Sequence, residues 1–158
     1  VTARERRPGH DAHGLRFVLV AARFNEAYVR RLVDAAREVL GRGGASESDL
    51  EVWWVPGSFE LPLACKWAAE SGRFDAVLAF GVLIRGETEH FRLVAEATAH
   101  GLVRVALDSS VPVLNGVLAV HDADQAAART GGPLGNRGAE VAMAALQMAG
   151  LARERSRP

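Results

Sequence analysis

The 158-residue chain has one cysteine, Cys65, so no disulfide can form within it. That excludes a disulfide-stapled scaffold and fits a reducing compartment. Cys65 lies in the apolar run ELPLACKWAA and reads as a small buried hydrophobe, not a nucleophile. Lysine is just as scarce. Lys66 is the only one, and every other cation of the Lys/Arg class is arginine. An enzyme that builds a Schiff base on its own side chain needs a lysine. Lys66 falls in a predicted helix, well away from any strand end, so an imine formed here would use an amine carried by the substrate. Net charge is missing too, with 19 Lys and Arg against 19 Asp and Glu. Neither a nucleic acid nor a membrane surface is therefore expected as a general partner. Arginines cluster at both ends (Arg4, Arg6, Arg7; Arg153, Arg155, Arg157) and read as solvated tails. No apolar segment before Phe17 resembles the core of a secretory signal, and no apolar stretch is long enough to span a bilayer. There is no Cys/His cluster of the kind that holds zinc, so no metal is expected. The expected location is the cytoplasm.

What the chain does contain is an alternation. Apolar runs at 15–22 (LRFVLVAA), 50–55 (LEVWWV), 76–84 (AVLAFGVLI) and 111–120 (VPVLNGVLAV) read as strands. Helical spacing marks 27–40, where Val29, Leu32, Val33, Ala36, Val39 and Leu40 recur on one face. Further helices are predicted over 59–69, 91–107, 122–129 and 138–154. Asn25 is placed to cap the first helix, and Pro62 is tolerable in a first helical turn. Residues 130–137 read as a Gly/Pro loop. The run 76–84 is apolar almost throughout, as a central strand covered on both faces should be. Strand–helix alternation predicts a three-layer α/β/α sandwich, flavodoxin-like, around a central four-stranded parallel sheet. The predicted organisation is an arm over 1–14, one domain over 15–154 and a tail over 155–158, without repeats or linkers.

In an open parallel sheet, ligands bind beyond the carboxyl ends of the strands. Those ends carry Arg23-Phe24-Asn25, Pro56-Gly57-Ser58-Phe59-Glu60, Arg85-Gly86-Glu87-Thr88-Glu89-His90 and His121-Asp122. After the third strand, free N–H groups at a helix start could hold a phosphate, with Gly86 permitting close approach, Thr88 supplying a hydroxyl and Glu87 a backbone N–H. The plainer alternative is an ordinary strand-to-helix turn. His90 could reach the same cleft with the side chain suited to proton shuttling near neutrality, or be a surface histidine. Phe24 could stack on a planar heterocycle or belong to the edge of the core. Glu60 could accept hydrogen bonds from a polyol or cap a helix. Arg129, before a Gly-Gly loop, could complement a helix dipole or clamp a phosphate.

These segments also resemble one family together. Arg23-Phe24-Asn25, VPGSFELP (55–62), GVLIRGET (81–88) with His90-Phe91, VPVLNGVL (111–118) and Gly-Asn-Arg-Gly-Ala-Glu (135–140) occur in the order found in the lumazine synthases. The likeness runs from about residue 15 to about residue 151, and the VPGSFELP and IRGETEHF blocks are specific as a pair. It implies an enzyme of riboflavin biosynthesis that joins a ribitylaminouracil to a dihydroxybutanone phosphate through an imine on the substrate's own amine. No cofactor is implied. Phe24, with Asn25 beside it, would stack on the pyrimidine. Ser58, Phe59 and Glu60 would hold the ribityl chain and ring edge, and Leu83 and Ile84 would touch the heterocycle. Glu87 and Thr88 would bind phosphate together with Arg129, and His90 would move protons. Asn115 and Arg129 would enter from a neighbouring subunit. Family members form homopentamers, some of them assembled into icosahedral shells of sixty subunits, and association with riboflavin synthase is a further implied partnership.

The chain departs from the family pattern at several points. Arg92-Leu93 stand where Asp-Tyr is common, Pro133 where lysine often occurs, and Arg137 for the lysine of a Gly-Asn-Lys-Gly version. Asn115 replaces an aromatic found in some members. Three other functions compete with synthesis. A non-catalytic flavin- or lumazine-binding paralogue would not need His90, Thr88 and Arg129. A flavodoxin-like electron carrier would want a Ser/Thr-rich loop after the first strand, unlike Arg23-Phe24-Asn25-Glu26. A purely structural shell protein would not need the polar strand-end set.

Overall fold

Alternate residues of one strand explain the layering. In the computed structural model, which describes residues 2–157, β1 (Phe17–Ala22) is buried at every position. Phe17, Leu19 and Ala21 join one apolar cluster, and Val18, Val20 and Ala22 join another on the opposite face. This is the period-two geometry of a strand sandwiched between two helical layers. The helices α1 (Glu26–Arg42) and α5 (Arg137–Arg155) cover the first face. The helices α2 (Leu61–Glu70) and α3 (His90–Ser109) cover the second. The strands β2 (Leu50–Val55), β3 (Ala76–Ile84) and β4 (Val113–Val120) complete a parallel sheet of order β2-β1-β3-β4. The predicted three-layer sandwich with four parallel strands is therefore the observed architecture.

Two glycines set the closeness of packing. A Cβ at Gly138, in the first turn of α5, would overlap the carbonyl oxygen of Leu32 on α1. One at Gly101 would stand 2.7 Å from the Pro62 ring, so α3 lies directly on α2.

The structure corrects the sequence reading in three places. The segment expected as a loop holds two short antiparallel strands, β5 (Thr130–Gly132) and β6 (Gly135–Asn136), after the helix α4 (Ala123–Arg129). Asn25 precedes α1 but makes no side-chain cap; its amide donates to the carbonyl of Val82 at 2.7 Å. The terminal arginines are not all idle. Arg6 donates to the Glu154 carbonyl at 3.1 Å and Arg153 to the His13 carbonyl at 3.0 Å, so the arm lies against α5. Ala12 is fully buried there, its N–H bonded to the Gly43 carbonyl at 2.8 Å.

Candidate active site

The ladder between β1 and β2 continues past both strands. Arg23 N–H donates to the Val55 carbonyl at 2.8 Å and Phe24 N–H to that of Pro56 at 3.1 Å. The chain then turns through Asn25, whose φ of 58° and ψ of 39° are left-handed, a conformation asparagine tolerates better than most residues. The Asn25–Val82 bond ties this turn to β3. Three strand ends are thereby fixed side by side, with Phe24 projecting beside Pro56 and Gly57.

After β2 a short 3₁₀ turn, Ser58–Glu60, leads into α2, whose second residue is Pro62. The missing N–H of proline costs nothing in a first turn. Ser58 is buried, and its carbonyl accepts the Thr98 hydroxyl from α3 at 3.1 Å. Its own hydroxyl lies against Gly81, where any Cβ would collide with it. The absence of a side chain at 81 thus lets the 58–60 turn sit down on β3. Beyond β3, Arg85–Glu89 reach the start of α3. Helix geometry leaves the first N–H groups of α3 without an intrahelical acceptor; that of His90 donates to the Thr88 hydroxyl at 3.4 Å.

These parts enclose one open cleft of about 940 Å³. Of the residues singled out from the sequence, Phe24, Ser58, Phe59, Glu60, Leu83, Ile84, Thr88 and His90 line it. Phe24 and Phe59 are 69% and 65% exposed, so their rings are not consumed by the core and are free to cover a flat ligand. The remaining wall is the α3 face of Phe91, Leu93, Val94 and Ala97. The sequence reading missed that face, although 90, 93/94 and 97 already have helical spacing. A largely apolar slot with a few converging polar groups suits a planar heterocycle carrying a polar arm.

Four expected site residues stand apart. Asn25 is used in the β3 tie. Glu87 lines a smaller hollow that shares Gly86, Thr88 and Phe91 with the cleft. Asn115 is exposed on the edge strand β4, and its side-chain carbonyl accepts from Val117 N–H at 3.0 Å. Arg129 ends α4 and donates to the Gln125 carbonyl at 3.2 Å, the helix-end role. Neither Asn115 nor Arg129 lines the cleft of its own chain.

Nearby titrations are simple. Burial pushes the Cys65 thiol up to about 12, so it stays protonated and inert on the inner side of α2. Hydrogen bonds from Arg92 to Glu89 and to Glu96 hold its guanidinium still more firmly protonated. Lys66 lies outside the cleft, 3.7 Å from Glu70. Among the described residues no three His, Cys, Asp or Glu side chains gather as a metal site would need, and no helix is long and apolar enough to cross a membrane.

The fold and cleft define a class: an α/β protein with a ligand-sized, largely apolar cleft at the carboxyl edge of a parallel sheet. Comparison narrows it. Residues 14–153 match the 6,7-dimethyl-8-ribityllumazine synthase family. A synthase of that name from Halorhodospira halophila is 50% identical over 139 residues, covering 88% of this chain and 89% of the relative. One from Chlorobium phaeobacteroides is 45% identical over 144 residues, covering 91% and 93%. The chloroplastic synthase of Arabidopsis thaliana is 46% identical over 138 residues, 87% of this chain, and the chain spans 61% of that longer protein. The chain belongs to the 6,7-dimethyl-8-ribityllumazine synthase family. It is an enzyme, a transferase of riboflavin biosynthesis.

Proposed function

We propose that this cleft condenses 5-amino-6-ribitylaminouracil with 3,4-dihydroxy-2-butanone 4-phosphate to give 6,7-dimethyl-8-ribityllumazine, phosphate and water. The observation that carries the reading is the convergence of Phe24, the Ser58–Glu60 turn and the Thr88–His90 turn on one slot. Phe24 stacks on the pyrimidine, while Ser58, Phe59 and Glu60 hold the ribityl chain and ring edge. Leu83 and Ile84 contact the heterocycle. The backbone N–H groups of Glu87 and Thr88 receive the phosphate. The substrate's amine adds to the ketone and water leaves to form the imine. Loss of the phosphate and attack by the ribityl-bearing nitrogen, with release of a second water, close the ring. His90 carries protons between these steps. Much of the acceleration comes from holding two reactants in one orientation, because imine formation is easy once they meet.

Asn115 and Arg129 complete the site from an adjacent copy in a homopentamer; their separation from the cleft of their own chain supports this. Assembly into an icosahedral shell of sixty subunits and association with riboflavin synthase belong to the same reading. So does a cytoplasmic location, which the lone buried Cys65 supports. A flavin-binding paralogue without the reaction would need the aromatic and polyol contacts but not Thr88 and His90 in the same slot.

The test mixes purified protein with both substrates and follows lumazine absorbance and fluorescence. Formation well above the spontaneous background, cut about a hundredfold in His90→Ala, is expected. No acceleration, together with tight binding of lumazine or riboflavin, would overturn the synthase reading for this chain.

A further inference from the structure

The turn that would receive the phosphate is not rich in positive charge. Between positions 85 and 96 the chain carries two arginines, Arg85 and Arg92, and three glutamates, Glu87, Glu89 and Glu96. A phosphate monoester settling on the N–H groups of this turn would be repelled by any carboxylate free to swing across them. Arg92 engages two of the three. Its Nε donates to Glu89 at 2.9 Å and its Nη1 to Glu96 at 3.3 Å, spacings of three and four residues along one side of α3. Glu89 and Arg92 line a separate hollow of about 240 Å³ that also holds Arg85 and His121. Neither lines the main cleft. The two cavities meet only at Gly86, Thr88 and Phe91. Glu87, whose N–H is one of the proposed phosphate donors, lines the same hollow, so the Glu89 carboxylate lies near the phosphate end and is tied to Arg92 rather than left free to swing across the turn.

We propose that Arg92 is a positioning residue for the phosphate end: by holding the Glu89 carboxylate in an ion pair along α3, it keeps the Gly86–His90 turn open to a dianion. This rests on the condensation reading of the cleft. Arg92 touches neither substrate and acts through Glu89. Its side chain is 57% exposed, so replacing it leaves folding largely untouched.

Arg92→Ala frees Glu89 and removes one positive charge beside the turn. The KM for dihydroxybutanone phosphate is expected to rise about fivefold, with kcat and the KM for the pyrimidine little changed. The loss shrinks as sodium chloride screens the freed carboxylate. Glu89→Gln in the Arg92→Ala background restores the KM, which a merely structural role for Arg92 would not allow. The experiment is steady-state kinetics on wild type, Arg92→Ala and the double variant, beside calorimetric titration of inorganic phosphate into each. An equal rise in both KM values, or no recovery in the double variant, overturns the proposal. If wild type makes no lumazine yet its phosphate affinity falls in Arg92→Ala and returns in the double variant, the condensation reading fails and the role of Arg92 stands. If phosphate affinity ignores Arg92, the proposal fails whatever the wild-type activity.

Discussion

The helices on the two sides of the sheet treat their apolar residues differently. On the α1/α5 side one stripe of each helix turns inward. Leu32, Ala36 and Leu40 of α1 meet Ala142, Ala145 and Ala149 of α5, with Gly138 set against the Leu32 backbone. Outward, that layer shows the exposed Met143 and Met148. The α2/α3 layer has its inward stripe too, in Leu61, Cys65, Leu102 and Val105. It carries a second stripe that no described residue covers: Leu63 and Trp67 four residues apart on α2, and Val103 and Leu107 four apart on α3, Leu107 being 76% exposed. The exposed Leu93 extends the apolar surface toward the cleft, which it lines. Contiguous exposed apolar side chains suit association with another copy. The layer that builds the cleft wall leaves more and larger apolar side chains exposed than the other. This fits the proposed homopentamer, in which a neighbour supplies what the cleft lacks.

Breaking the α1/α5 layer should have the largest effect. Gly138→Val forces a branched side chain into the Leu32 carbonyl and is expected to cost about 3 kcal/mol or more, read as a lower urea midpoint. A midpoint near that of wild type would show that α1 and α5 are less tightly apposed than described. Next comes the α2/α3 layer. Trp67→Asp should leave the fold intact by circular dichroism but cost about 2 kcal/mol at each contact between copies, lowering the oligomer mass in light scattering. An unchanged mass would remove the outward stripe from the interface. Inside the cleft, Phe24→Ala should raise the KM for the pyrimidine about tenfold through lost stacking, and leave that for the phosphate substrate nearly alone. Equal changes in both would return Phe24 to the edge of the core.

The smallest effect concerns Cys65 on the inner side of α2. Its folded pKa, about 12, lies above its ordinary 9.0, so the folded state holds the proton more tightly. Its contribution to stability is complete below pH 9 and is lost as the pH rises from 9 towards 12. Alkylation at pH 8 should be slow in folded protein and fast in urea. Equal rates would mean that α2 opens readily.

The layers were legible because their signals are local and repeated. The run AVLAFGVLI reads as a strand covered on both faces, and the 29–40 stripe has helical spacing. Most of the cleft was legible from the rule that ligands gather at strand ends. The rest depended on contacts between distant segments. Asn25 has the right chemistry for a cap, but its left-handed backbone directs the amide to Val82. The β5/β6 pair, three and two residues long, is too short to show a period among glycines. Leu93, Val94 and Ala97 read as any apolar helix face; only the placement of α3 over the sheet edge turns them to the cleft. The role of Asn115, and the expectation that Arg129 acts from a neighbouring subunit, came from resemblance alone; neither residue lines the cleft of its own chain.

The most direct test of a site built from two copies is complementation. His90→Ala and Arg129→Ala subunits would each be assayed alone and then co-expressed in equal amounts. A shared site predicts that both pure assemblies are nearly inactive and that the mixture recovers about a quarter of wild-type lumazine formation, since a statistical quarter of its sites pair an intact His90 with a neighbour's intact Arg129. A mixture no more active than the average of the two pure variants would contradict it and place the whole reaction within one chain.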